Sequence, residues 1–119
     1  MTLHDRPTAA ELVAAVREYL ERDVMTATEG RIAFHARVAA NVLGMVEREL
    51  EVGDAQDADE QARLVTLLGC DGTVRELTEL LAHGIREDTL DVPWSELVEG
   101  VRGTVRAKLE VANPGYLTR

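Results

Sequence analysis

The sequence predicts an all-α fold: a single-domain bundle of about five helices joined by short loops and built around a long central helix 2. Three observations predict it. Apolar residues recur at helical spacing in each of five segments. Helix-start and helix-stop signals separate those segments. No segment shows a sustained two-residue alternation, so no sheet is required.

The first helix spans about residues 8–24. Pro7 leads into it, and Thr8-Ala-Ala-Glu11 reads as a capping box, with the Thr8 hydroxyl taking the Glu11 amide and Glu11 reaching back. Leu12, Val16, Tyr19, Leu20 and Val24 then fall on one face. The run Thr26-Ala-Thr-Glu29-Gly30 breaks it.

Helix 2 is predicted over about 29–50. Ile32, Ala36, Ala39, Leu43, Val46 and Leu50 make one stripe, which Phe34, Val38, Val42 and Met45 widen to half the circumference. A helix that apolar expects cover on more than one side, either as the central element or as a dimer contact. Gly53, inside the acid-rich stretch Glu47–Glu60, is expected to end it.

A third helix over about 57–69 carries Leu64, Val65, Leu67 and Leu68 and stops at Gly69. Thr73-Val-Arg-Glu76 is a second capping box and opens a fourth, with Val74, Leu77, Leu81 and Ile85 inward. Asp91-Val-Pro93-Trp94 starts a fifth, with Trp94, Leu97, Val98, Val101, Val105, Leu109 and Ala112 inward. Asn113-Pro114-Gly115 ends it.

The 119 residues suffice for one domain, taken as 1–119, and 45% hydrophobic content supports a packed core. Thirteen basic against 22 acidic residues give a net charge of -9. Nucleic acid and anionic membrane both bind clustered Lys and Arg, so neither partner is expected. Aromatics at 3% provide no base-stacking platform. Cys70 is the single cysteine, which excludes an internal disulfide and any zinc site built from several thiolates. No leader-like apolar segment opens the sequence and no run is long enough to span a membrane, so a cytoplasmic protein is expected.

Few residues point to chemistry. His35 lies inside the apolar arc of helix 2, where a general base or a pH switch is one reading and a packed histidine the stronger one. Val38 and Ala39 occupy the i+3 and i+4 places where a metal would need partner ligands, so no metal site is expected. Arg37, Asn41 and Arg48 form a cationic and polar stripe beside Phe34, with Arg31 able to join. Such a stripe takes a carboxylate or phosphate, or else pairs with glutamates of helix 1 or of a neighbouring chain. Cys70-Asp71-Gly72 reads as a turn rather than a nucleophile site. The acids around Asp54, Asp57 and Asp59 lack calcium-loop spacing. Gly44, Gly100 and Gly103 lie within predicted helices, as points of close approach or as simple looseness.

Two strings, Arg6-Pro-Thr-Ala-Ala-Glu-Leu12 and Glu29-Gly-Arg-Ile-Ala-Phe-His-Ala-Arg-Val-Ala-Ala-Asn41, resemble a small bacterial helical family of unknown function. Its members are typically encoded beside aminoglycoside-phosphotransferase-like kinases and acyl-CoA dehydrogenases. The resemblance implies an accessory role in acyl-CoA metabolism and supplies no catalytic residue. The chain lacks the nucleotide loop and the catalytic-loop Asp with its Asn that a kinase requires.

The sequence therefore expects a non-catalytic interaction protein without a cofactor. It would self-associate or dock to a kinase-like or dehydrogenase-like enzyme, presenting Arg31, Phe34, His35, Arg37, Asn41 and Arg48. The alternative is a binder of an acyl or CoA-like anion, with Phe34 and Val38 on the tail and Arg37 and Asn41 on the head group. An enzyme using His35 or Cys70 is third.

Overall fold

The computed structural model describes residues 3–118. All regular structure among them is helical. Helix α1 (Ala9–Tyr19) runs on through a π-helical stretch, Leu20–Val24, and a last α turn, Met25–Ala27. Three more helices follow: α2 (Gly30–Leu68), α3 (Val74–Glu87) and α4 (Trp94–Ala112). A 3₁₀ turn, Pro114–Thr118, follows α4. Four helices thus stand where five were expected.

The difference lies at Gly53. The predicted second and third helices are one helix of 39 residues. A glycine in a helix interior costs only about 1 kcal/mol relative to alanine, and Gly53 adopts no left-handed conformation that would end the helix. The true ends do use that conformation: Gly30 has φ +62° and Gly69 has φ +72°. The acidic stretch is held helical by its own side chains. Gln56 donates to the Ala107 carbonyl at 2.9 Å and to Glu110 at 3.1 Å, and Glu60 accepts from the Thr104 hydroxyl at 2.6 Å.

The caps follow the sequence closely. The Thr73 hydroxyl accepts from the Glu76 amide and the Glu76 carboxylate accepts from the Thr73 amide, a complete capping box. At α1 only half of the expected box forms. Thr8 accepts from the Glu11 amide at 3.1 Å, while the Glu11 carboxylate lies 3.7 Å from Arg6. At the end of the first helix the Thr26 and Thr28 hydroxyls donate back to the carbonyls of Arg22 and Val24. Thr28 is extended, so the helix stops there.

The chain divides into two compact units. The first reaches to Gly53 and takes in Val111–Asn113. It is a hairpin of α1 on the first part of α2. The contact face of α2 is small rather than greasy: Ala36, Ala40 and Gly44 are buried and Ala33 and Leu43 half-buried. Val13, Ala14, Arg17, Leu20 and Val24 supply the half-buried face of α1. Of the expected stripe, Ala36 is buried and Ala39 and Leu43 are half-buried, whereas Ile32, Val46 and Leu50 are solvent-exposed. Alanines and a glycine give the closest helix approach, and that geometry, rather than total hydrophobicity, selects the face. The first part of α2 is therefore not a helix covered all round by its own chain.

The second unit comprises Asp54–Glu110 with Pro114–Thr118. Its core is Leu64, Leu77, Leu81 and Leu97, with Val65, Leu67, Leu68, Val74, Leu90 and Val92 packed against it. Gly100 and Gly103 mark close approach: a Cβ at Gly100 would stand 2.9 Å from Leu67, and one at Gly103 would stand 3.0 Å from Arg63. The expected inward face of α4 is corrected here. Leu97 is buried, whereas Trp94, Val101 and Val105 are exposed.

Candidate interaction surfaces

Within the first unit, polar side chains fix the hairpin. The Arg17 guanidinium donates through Nε to Glu47 Oε2 at 2.8 Å and reaches Glu21 at 3.2 Å. The hydrogen bond to Glu47 raises the Arg17 pKa above its ordinary value. Burial opposes that shift, and the negative charges of Glu47 and Glu21 add to it. Arg48 donates through Nε to the Val111 carbonyl at 2.7 Å. The interhelix ion pair thus has its arginine on α1 and its glutamate on α2. Arg48, expected to take an anion or to pair with a glutamate of helix 1 or of a neighbouring chain, holds a backbone carbonyl.

The other expected site residues stay in solvent. Arg31, Arg37 and Asn41 are exposed. Among the described residues none of the three has a hydrogen-bond or ionic partner. Phe34 and His35 are exposed neighbours, with ring centroids 5.6 Å apart in an edge-to-face arrangement at 75°. His35 is therefore not the packed histidine expected of an apolar arc. Around these two rings Val38, Val42, Met45 and Val46 leave α2 apolar over the side turned away from α1. Cys70 is exposed in the turn after Gly69, where Asp71 Oδ1 accepts from the Gly72 amide at 2.8 Å. Among the described residues no group of three or more His, Cys, Asp or Glu is arranged to hold a metal ion. Among the described residues no helix is long and apolar enough to cross a membrane.

The second unit holds a surface that the sequence reading placed inside the core. Ile85, Trp94, Leu97, Val98, Val101 and Val105, together with Arg102, line an open groove of about 490 Å³ between α3 and α4. Trp94, at the start of α4, is 74% exposed. The signal was present in α4, whose apolar residues occupy more of the circumference than one neighbouring helix covers. Nearby, Glu60 receives Thr104 on one carboxylate oxygen and Arg63 on the other. That network is structural, joining α2 to α4 beside Gly103.

Residues 26–116 match a family described as a domain of unknown function, DUF6285. The chain belongs to this family. The DUF6285 match takes in α2, α3 and α4 and leaves Ala9–Tyr19 of α1 outside it. No curated protein and no solved structure matches the chain.

Proposed function

We propose that this DUF6285 chain is a non-catalytic docking protein, an accessory to an acyl-CoA dehydrogenase or a phosphotransferase-like kinase. One observation carries the reading. Among the described residues only six hydrophobics are buried, four of them leucines, while eighteen large hydrophobics are exposed. Scattered exposed apolar side chains are ordinary on a protein surface, but here seven of the eighteen, Ile32, Phe34, Val38, Val42, Met45, Val46 and Leu50, lie on one side of α2 and four, Ile85, Trp94, Val101 and Val105, along the α3/α4 groove. Surfaces of this kind are buried in complexes, and an exposed tryptophan in an apolar groove is a typical energetic centre of an interface. The sequence likeness supplies the class of partner.

The test is binding of the purified enzymes encoded beside the gene, measured by calorimetry with the wild-type chain and with Trp94→Ala. Saturable binding weakened at least about tenfold by the substitution is expected. No binding by either class of enzyme would overturn the reading.

The groove favours one second reading, an acyl chain with its anionic end near Arg102, because Arg102 is the one charged residue lining it. A thermal shift with long-chain acyl-CoA that Trp94→Ala removes would decide for it; no shift would decide against it.

A further inference from the structure

The outward side of α2 has a pattern that reads the same in both directions. Arg31 stands nine residues before Ala40 and Glu49 nine after it. Phe34 and Val46 lie six residues to either side, His35 and Met45 five, and Val38 and Val42 two. At 100° per residue these eight positions fill one arc of about 120°, opposite the buried Ala40. Arg31 and Glu49 are 18 residues apart, five full turns, so they share one line along the helix about 27 Å from each other. Between them the arc contains no Asp, Glu, Lys or Arg. Among the described residues neither Arg31 nor Glu49 has an ionic or hydrogen-bonding partner.

We propose that this face pairs with the same face of a second copy, α2 against α2 antiparallel about a two-fold axis at the level of Ala40. The pattern is what an isologous contact demands, since each residue must meet the partner's counterpart across the axis. Arg31 of each copy then faces Glu49 of the other, which closes both ends of the seam with opposite charges. The two valines meet near the axis, and Phe34 packs beside the partner's Val46. A parallel pairing would set Arg31 on Arg31 and Glu49 on Glu49, and like charges there oppose it.

The area is of the right size. Phe34, Val38, Val42, Met45 and Val46, with Ile32 and Leu50 at the margins, leave on the order of 600 Å² of apolar surface, against about 800 Å² per partner in a standard interface. The charged ends and His35 supply the remainder. This inference rests on the docking reading for the hairpin and names its partner; it does not involve the α3/α4 groove.

Charge reversal tests it. Sedimentation equilibrium of the full chain is run for the wild type, Arg31→Glu, Glu49→Arg and the double variant, with helix content checked by circular dichroism. A dimer is expected for the wild type. Each single reversal should weaken it about tenfold, because two ion pairs become two repulsions, and the double should return to within about threefold of the wild type. Val38→Glu, which places a charge on a surface exposed in the monomer, should give a folded monomer. A wild type that stays monomeric at about 100 μM, single reversals without effect, or a double variant no better than the singles would each overturn the pairing. Failure here with enzyme binding retained would remove the second copy and leave the docking reading standing. Loss of enzyme binding alone would do the reverse.

Discussion

Arg17 and Glu47 join α1 to α2 through a 2.8 Å hydrogen-bonded ion pair, with side chains only 25% and 19% exposed. The pair stands beside Gly44, where a Cβ would meet Arg48 at 3.4 Å and the Arg17 stem at 3.9 Å, ordinary contact distances. Arg17→Ala or Glu47→Ala should each lower the unfolding free energy by about 1 kcal/mol, and the double variant by scarcely more than either single. Urea unfolding of the four proteins provides the cycle. Arg17 has a raised pKa when folded, so its contribution is fully present below the unfolded value and is lost only in strongly alkaline solution. The difference between wild type and Arg17→Ala should therefore stay flat between about pH 6 and pH 10.

Two glycines should respond with opposite signs to the same change. Gly53 sits inside α2 with only the Glu49 Cγ within reach of a new Cβ, at 3.6 Å. Gly53→Ala should stabilise by about 0.5–1 kcal/mol. At Gly84 a Cβ would fall 2.5 Å from both Cγ and Cδ2 of Leu90, which packs against the core. Gly84→Ala should destabilise by about 1–3 kcal/mol despite the gain in helix propensity. Thermal melts of the two variants check both signs.

Thr73→Ala removes the hydroxyl that accepts from the Glu76 amide and dismantles the capping box of α3. A loss of about 1 kcal/mol is expected in the same unfolding assay. Glu76→Gln, which keeps an acceptor for the Thr73 amide, should cost less.

Leu77 is fully buried at the centre of the leucine core, and Leu77→Ala should cost about 2–5 kcal/mol. Val42→Ala removes methyl groups that are half in water already. It should barely change the stability of the monomer. Denaturant titration at low protein concentration, where any association is dilute, separates the two.

The helical class and most helix ends were readable, because periodicity and caps are local. Thr73 with Glu76, Gly69 after Leu68, and Asn113-Pro114 after Ala112 mark real helix ends. The continuity of α2 was not readable. A glycine among acids looks like a loop, and the bonds from Gln56 and Glu60 that hold it helical reach 51 and 44 residues along the chain. The π-helical stretch at Leu20–Val24 left no local mark either. The buried face was readable only in part, for a physical reason. Counting hydrophobics finds Ala36, Ala39 and Leu43 but adds Ile32, Val46 and Leu50, whereas close helix packing turns the face toward Ala40 and Gly44. Of the expected site residues, Arg31, Phe34, His35, Arg37 and Asn41 all stand exposed on α2, and periodicity alone did not separate the cationic stripe from the apolar arc. Arg48 was not separable from Arg37 and Asn41 until its bond to the Val111 carbonyl was seen.

Trp94 is the sole tryptophan of the chain and stands with most of its indole in water. Excited at 295 nm, where tyrosine scarcely absorbs, the folded protein will emit much as free indole does in water, so denaturation will alter its colour little. Anything that settles into the groove beside Ile85 and Val101 will shift that emission to the blue. The chain thus has a built-in optical probe of one place on its surface, silent about the leucine core and about the α1/α2 hairpin.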